Sequence, residues 1–179
     1  MEYLKSIKIT ADNVHWIIRD LVNEYSDDVW NFSFLLVKDR ATADDITQEV
    51  FLHAFRTLHR FEGRSSPKTW LLAMARNKSI NWLKSSFIKR VTLVGLAHRK
   101  SQHRSAEQEA IERSAIHTIW QTVMKLPAKQ REVLILDAHY EFSYMEIAQI
   151  LNVSEGTVKS RLHRARAALE KMLKENGEV

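Results

Sequence analysis

The stretch Ser143–Arg166, SYMEIAQILNVSEGTVKSRLHRAR, decides the fold because it predicts two helices joined by a tight turn. Ser143 and Glu146 form a capping-box pattern, which starts the first, short helix. Asn152 follows that helix and tolerates the left-handed backbone that a tight turn needs. Ser154 is then a suitable N-cap for a second helix. Two helices joined in this way are typical of a helix-turn-helix motif.

The second helix of this motif is predicted to run from about Glu155 to Leu173, with one apolar and one polar face. Its polar face carries hydrogen-bonding and cationic groups near the helix start, which can reach base edges in the major groove or hold phosphates. A solvated basic face on an ordinary surface helix is the alternative. The small Ala148, the capping box and the Asn turn together favour DNA binding. The core positions are Ile147, Ala148, Leu151, Val153, Val158, Leu162, Ala165, Leu169 and Met172, and the polar positions are Gly156, Thr157, Lys159, Ser160, His163 and Arg164.

Apolar residues recur at helical spacing through the rest of the chain, and a content of four Gly and two Pro suits helices. In the C-terminal half, a capping box at Ser105–Gln108 and Pro127 each start a helix. The N-terminal half predicts three helices, with a turn over Asp39–Thr42 and a loop over Arg60–Pro67 in which Ser66 is the N-cap. These three helices are predicted at Val14 to Val37, about Ala43 to Leu58, and Pro67 to about Ser85. The inward residues of the C-terminal half are predicted to include Ile111, Ala115, Ile119, Val123, Leu126, Val133, Leu134 and Leu136.

Composition limits the classes of function. The chain has 27 Lys and Arg against 22 Asp and Glu, so its net charge of +5 mildly indicates a polyanionic partner. The absence of cysteine excludes a disulfide scaffold, a thiolate zinc site and a cysteine nucleophile. We find neither a signal peptide nor a membrane-spanning apolar run, and therefore expect a cytoplasmic protein. The basic stretch Ser85–Arg104 predicts a flexible linker, which divides the chain into domains at 1–86 and 107–179 with a linker at 87–106.

The third predicted helix has an unusual surface. Trp70, Asn77, Asn81 and Lys84 lie along one line, opposite its apolar face. Bases stack on aromatic side chains, amides read base edges and cations hold phosphates, so this line suits a single nucleic-acid strand. The alternative is that Trp70 belongs to the core and that the other side chains form an ordinary wet surface.

The second predicted helix carries an acidic face. Asp45, Glu49 and His53 recur at every fourth position beside Asp44. A metal site is one interpretation, but it normally needs converging ligands from another helix, and no matching set is evident. An acidic patch on which a basic protein partner docks is the other interpretation.

Seven segments together resemble extracytoplasmic-function sigma factors, in the order and spacing of that family and over about residues 20–173. Four of them resemble region 2: Asp44–Phe51, Phe61–Ser66, Thr69–Leu71 and Ala75–Asn77. Three resemble region 4: Leu126–Val133, Ser143–Ala148 and Gly156–Arg166.

The resemblance implies an all-α protein with two small helical domains, sigma region 2 and a region 4 that contains the helix-turn-helix. It also implies three partners: core RNA polymerase, promoter DNA and an anti-sigma factor, which in this family is often membrane-anchored and would hold the protein at the inner membrane face. It implies that the last helix, including Arg161, reads the −35 element. The residues implied for polymerase docking are Asp45, Gln48 and Glu49, and those for the −10 element are Phe61, Arg64, Lys68, Trp70, Asn77, Asn81 and Lys84.

Two features depart from the family pattern: the linker is basic where the family's is often acidic, and Asn152 stands where many such turns have Gly. We expect no enzymatic activity, cofactor, metal ion or small-molecule substrate. A stand-alone helix-turn-helix regulator is the main alternative, although it would need neither the acidic Asp45–Glu49 face nor the Trp70 and Asn77 surface. A metal-dependent nucleic-acid enzyme built on Asp45, Glu49 and His53 is a third possibility.

Overall fold

The computed structural model describes residues 13–92 and 115–175, and this part of the chain is all-α, as the sequence predicts. Three helices form the N-terminal half and four form the C-terminal half. They are α1 (Val14–Val37), α2 (Arg40–Thr57), α3 (Pro67–Thr92), α4 (Ala115–Lys125), α5 (Ala128–Ala138), α6 (Tyr144–Leu151) and α7 (Glu155–Glu175), and a 3₁₀ turn (Leu58–Arg60) follows α2.

The N-terminal half is organised around α1, which packs against both α2 and α3. Large side chains of α1 such as Phe32 and Leu36 are fully buried in this core. Burial of each such side chain stabilises the fold by about 1.5–3 kcal/mol. The remaining members of this core are Ile17, Leu21, Val29, Val37, Ala43, Ile46, Val50, Phe51, Ala54, Leu58, Leu71, Leu72 and Ala75.

The starts of α2 and α3 are fixed by side-chain caps. The Ser66 hydroxyl accepts a hydrogen bond from the Thr69 backbone N–H at 3.0 Å, which confirms the predicted cap of α3. The prediction of a turn over Asp39–Thr42 is wrong, because α2 already begins at Arg40. Asp39 is its N-cap and accepts hydrogen bonds from the Thr42 backbone N–H at 2.8 Å and hydroxyl at 2.6 Å. These two hydrogen bonds lower the pKa of the Asp39 carboxyl.

The third helix is longer than predicted, since α3 continues to Thr92 rather than ending near Ser85. No Gly or Pro interrupts residues 85–92, so nothing in the local sequence breaks the hydrogen-bond ladder. The predicted linker 87–106 therefore overlaps this helix at 87–92. Its remainder, with the Ser105–Gln108 capping box and Ile111, lies outside the described residues.

The C-terminal half packs α4, α5 and α6 around α7. Val123, Leu126, Val133, Leu134 and Leu136 are buried, as predicted. The prediction for Ile119 is wrong, because 46% of this residue is exposed. Ile119 lines an apolar cavity of about 160 Å³ that is open to solvent, with Trp120, Ala138 and Leu169 among its other lining residues.

The two halves contact each other, with α1 against α5 and α3 against α6. The interface brings the helix-turn-helix close to the third helix of the N-terminal half. None of the helices in the described ranges is long and apolar enough to cross a membrane.

Candidate nucleic-acid interface

The helix-turn-helix is held rigidly by hydrogen bonds at its turn. The Glu146 carboxylate accepts from the Ser143 backbone N–H at 2.9 Å, and the Ser143 hydroxyl accepts from the Glu146 N–H at 3.3 Å, so the predicted capping box is confirmed. Asn152 adopts the left-handed conformation with a φ of 51°, as predicted. The Val153 N–H donates to the Ala148 carbonyl at 3.1 Å. These contacts fix the angle at which α7 leaves the turn.

The start of α7 is capped and open to solvent. The Ser154 hydroxyl accepts from the Thr157 backbone N–H at 3.3 Å. A Cβ added at Gly156 would meet only the Ser154 hydroxyl, at 3.9 Å, which is ordinary contact. Internal packing therefore does not require glycine at position 156. The exposed backbone at this position leaves room for close approach by a partner.

The predicted reading face of α7 is largely available to solvent. Arg164 donates to the Ser160 carbonyl of its own helix at 3.2 Å, and the Lys159 ammonium lies 5.8 Å from the centre of the Tyr144 ring. Thr157 is half-buried beside the cap. The exposed members of the predicted set are Gly156, Lys159, Ser160, His163 and Arg164.

Arg161 differs from its neighbours on α7. Only 19% of its side chain is exposed, and its guanidinium lies 3.3 Å from a Glu132 carboxylate oxygen. The structure therefore directs Arg161 towards the protein, apart from the exposed face of the same helix.

Some of the predicted −10 residues are exposed to solvent, and others contact neighbouring side chains. Asn77, Asn81 and Lys84 are exposed along α3. Trp70 is half-buried, and its ring centre lies 5.0 Å from that of Phe61 in a tilted arrangement, so the loop before α3 borders this face.

Two basic residues of the predicted −10 set have partners in the protein. The Lys68 ammonium lies 2.8 Å from the Asp28 carboxylate and 5.1 Å from the centre of the Tyr140 ring, which belongs to the other half. Arg64 pairs at 2.6 Å with Glu62 on the exposed loop. The Lys68 ammonium is thus engaged with Asp28 and Tyr140, whereas the Arg64 and Glu62 side chains are exposed to solvent.

The acidic face of α2 is exposed at Asp45, Gln48 and Glu49. A Glu49 carboxylate oxygen lies 2.6 Å from the Lys78 ammonium of α3. The face continues along the helix onto Leu52 and Phe55, which are 55% and 39% exposed. Sequence analysis did not select these two apolar residues, although they follow Gln48 by four and seven positions, which places them on its side of the helix. In the described ranges, no group of three His, Cys, Asp or Glu side chains is placed to hold a metal ion.

Sequence analysis also missed a buried charge cluster between the halves. Glu132 is fully buried, and its carboxylate accepts from the Arg76 guanidinium of α3 at 3.2 and 3.4 Å and from Arg161 of α7 at 3.3 Å. The buried Arg131 donates to the carbonyls of Leu126 at 2.8 Å and, across the interface, Leu36 at 2.9 Å. Burial lowers the pKa of Arg131.

An aromatic contact adds to this interface. The Tyr140 hydroxyl donates to the Asp28 carbonyl at 2.8 Å, and its ring meets Phe32 edge-on at 6.0 Å. Burial raises the pKa of the Tyr140 hydroxyl. Lys38 donates to the Met124 carbonyl from the other direction. Specific hydrogen bonds and ion pairs therefore join the halves, beside this aromatic contact.

Comparisons with known proteins agree with the two-part architecture. Residues 21–86 match the family model "Sigma-70 region 2", and residues 116–169 match "Sigma-70, region 4". The ECF RNA polymerase sigma factor SigX of Bacillus subtilis is 32% identical over 156 residues, covering 84% of this chain and 80% of that protein. The RNA polymerase sigma factor YlaC of the same organism is 33% identical over 163 residues, covering 90% and 94%.

A solved structure has the same fold. The sigma factor RpoE of Bartonella quintana, crystallised with the anti-sigma factor NepR, superposes with a TM-score of 0.72 at 25% identity, covering 87% of this chain and 96% of that one. The presence of both region 2 and region 4 does not favour a stand-alone regulator. The chain belongs to the sigma-70 family and, within it, to the ECF RNA polymerase sigma factors.

Proposed function

We propose that α7 reads the −35 promoter element while α3 and the preceding loop take the −10 strand and α2 docks on core RNA polymerase. The observation that carries this proposal is the exposed polar face of α7, held at a fixed angle by the capping box and the Asn152 turn. A helix presented in this way fits the major groove, where its first turns meet base edges.

On the −35 side, Lys159, Ser160, His163 and Arg164 are the residues that supply donors to bases or phosphates. Gly156 lets the backbone approach the DNA. We assign Arg161 a positioning role, because it holds Glu132 rather than pointing outwards.

On the −10 side, Asn77 and Asn81 offer amides along α3, and Lys84 offers a phosphate contact. The Phe61 and Trp70 pair borders this line and gives an aromatic surface on which an unpaired base can stack. Arg64 on the exposed loop adds a cation near the same end of the helix, and Lys68 joins it once it leaves Asp28 and Tyr140. A base displaced from the duplex would enter between the loop and α3.

On the polymerase side, the exposed carboxylates of Asp45 and Glu49, with Gln48, complement a basic protein surface. The exposed Leu52 and Phe55 supply the apolar contact that such interfaces place beside charges. This function places the protein with the polymerase in the cytoplasm. Since RpoE forms a complex with the anti-sigma factor NepR, we also propose an anti-sigma factor for this chain, anchored in the inner membrane.

Transcription with purified core polymerase on a library of random promoters tests the proposal. Enrichment of two short elements, near −35 and −10, is expected only when the sigma factor is present. Arg164→Ala should alter the enriched −35 element and leave the −10 element unchanged. Lys171→Ala is the control, because its ammonium lies on exposed α7 surface beside Glu175. Transcripts without any enriched element would contradict the assignment.

A further inference from the structure

One buried carboxylate accepts hydrogen bonds from both halves, and this has a geometric consequence. Arg76 of α3 and Arg161 of α7 both bond to Glu132, at 3.2 and 3.3 Å. Helices α3 and α7 are therefore held within one ion-pair cluster. In the proposed function these helices serve the −10 and −35 elements, whose names place them about 25 base pairs, or about 85 Å, apart at about 3.4 Å per base pair. One molecule in this closed arrangement cannot reach both elements.

We propose that the Glu132 cluster is a latch between the halves, and that on opening Arg76 exchanges the Glu132 carboxylate for a phosphate of the −10 strand. The proposal rests on the proposed function for its DNA strand, but the latch itself concerns the free chain. It adds Arg76 to the −10 surface as a residue that is masked while the halves are joined.

The distribution of partners around Glu132 suits such an exchange. The carboxylate is fully buried, and a buried charge without a partner is strongly destabilising. Arg161 belongs to the same half as Glu132 and stays with it when the halves separate. Glu132 therefore keeps one cationic partner, while Arg76 loses its carboxylate acceptor.

Arg76 is also well placed for its second partner. Its guanidinium lies 3.5 Å from the Asn77 side-chain oxygen, and Asn77 faces solvent on the proposed single-strand surface. A guanidinium released beside this amide presents a planar set of donors that matches a phosphate. In the closed arrangement the same donors are directed to Glu132.

Two other contacts across the interface fasten the latch through main-chain carbonyls of α1. Tyr140 donates to the Asp28 carbonyl and Arg131 to the Leu36 carbonyl. Tyr140→Phe removes one of these hydrogen bonds and keeps the ring against Phe32. It is therefore a second way to weaken the latch, independent of Arg76.

Förster transfer in the full chain tests the latch. The sequence has no cysteine, so Asn23→Cys and Ala167→Cys on exposed helix faces supply the only two dye sites. The free protein should show high transfer, and both Arg76→Ala and Tyr140→Phe should raise the open population. A tenfold rise for Arg76→Ala corresponds to about 1.4 kcal/mol. Lys171→Ala, which removes the same charge from the exposed surface of α7 beside Glu175, should change nothing.

The results separate the latch from the exchange and from the proposed function. Unchanged transfer in both Arg76→Ala and Tyr140→Phe, with helicity preserved, would overturn the latch. The exchange is tested by the affinity of the polymerase complex for single-stranded DNA at several salt concentrations. The slope of log affinity against log salt concentration should be shallower by about 0.7 in Arg76→Ala than in wild type, the value for one phosphate contact. An equal slope would overturn the exchange. Failure of the wild-type chain to direct transcription would instead overturn the proposed function, whatever the transfer signal.

Discussion

Two arginines one turn apart on α7 should behave in opposite ways. Arg161 is tied to the buried Glu132, whereas Arg164 is exposed and donates to the Ser160 carbonyl of its own helix. We therefore predict that Arg161→Ala lowers stability and that Arg164→Ala lowers promoter affinity.

The magnitude for Arg161→Ala follows from its partner. A hydrogen bond to a charged group contributes about 1.5–3 kcal/mol, and here the acceptor is fully buried. Arg76 still holds Glu132 after the change, so the carboxylate is not left alone. We expect a loss of about 2–3 kcal/mol in the free energy of unfolding. For a chain of this length that lowers Tm by roughly 4–12 °C.

Arg164→Ala should change the free energy of unfolding little and the free energy of promoter binding much more. Surface substitutions of this kind usually change stability by no more than about 0.5 kcal/mol. Loss of a base contact costs about 1–3 kcal/mol of binding free energy, and loss of a phosphate contact also makes the salt dependence shallower.

Denaturant unfolding of both variants and promoter binding by the polymerase complex measure these effects side by side. Lys171→Ala is the matched control for both assays. A fully stable Arg161→Ala protein with weakened promoter affinity would refute the reasoning, because Arg161 would then read DNA rather than hold Glu132.

Three further outcomes are expected. Glu49→Lys should weaken the binding of core polymerase in a pull-down while helicity is retained, and Glu49→Gln should have an intermediate effect. Unchanged affinity of the Lys variant would count against the α2 docking face. Asn77→Ala should reduce permanganate-detected promoter opening more than −35 binding, and normal opening would make this part of α3 an ordinary surface. Asp39→Ala should cost about 1 kcal/mol at neutral pH through loss of the α2 cap. The pKa of Asp39 is lower in the folded protein than the unfolded value of about 3.9. Its stabilisation is therefore present above that value and is lost as pH falls through the folded pKa, so the free energies of unfolding of wild type and variant should converge in acid.

Local chemistry explains which elements of the fold could be predicted from sequence. The caps at Ser66 and Ser143 and the turn at Asn152 depend on residues within three positions of one another, and all three were predicted correctly. Asp39 was misassigned because an aspartate favours both turns and N-caps, and only the bonds to Thr42 distinguish the two.

Long-range contacts explain what could not be predicted. Arg131 and Glu132 lie in a charged stretch that resembles a solvated helix surface, yet both are buried. Their partners Leu36 and Arg76 are distant in sequence, and only the packing of the two halves brings them together. For the same reason the sequence grouped Arg161 with the exposed residues of α7. The assignments of single residues to promoter elements and to the polymerase stay predictions until the variants above are measured.

The hydrogen-bond acceptors between the halves affect whether the halves of two related proteins can be combined in one chain. Arg131, Tyr140 and Lys38 all donate to main-chain carbonyls, of Leu36, Asp28 and Met124 respectively. Every residue carries such a carbonyl, so a substitution at the accepting position leaves the acceptor in place. Arg76 and Glu132, by contrast, recognise each other through side chains. A chimera that joins the N-terminal half of one relative to the C-terminal half of another should therefore dock more weakly when the residues at positions 76 and 132 do not form an ion pair.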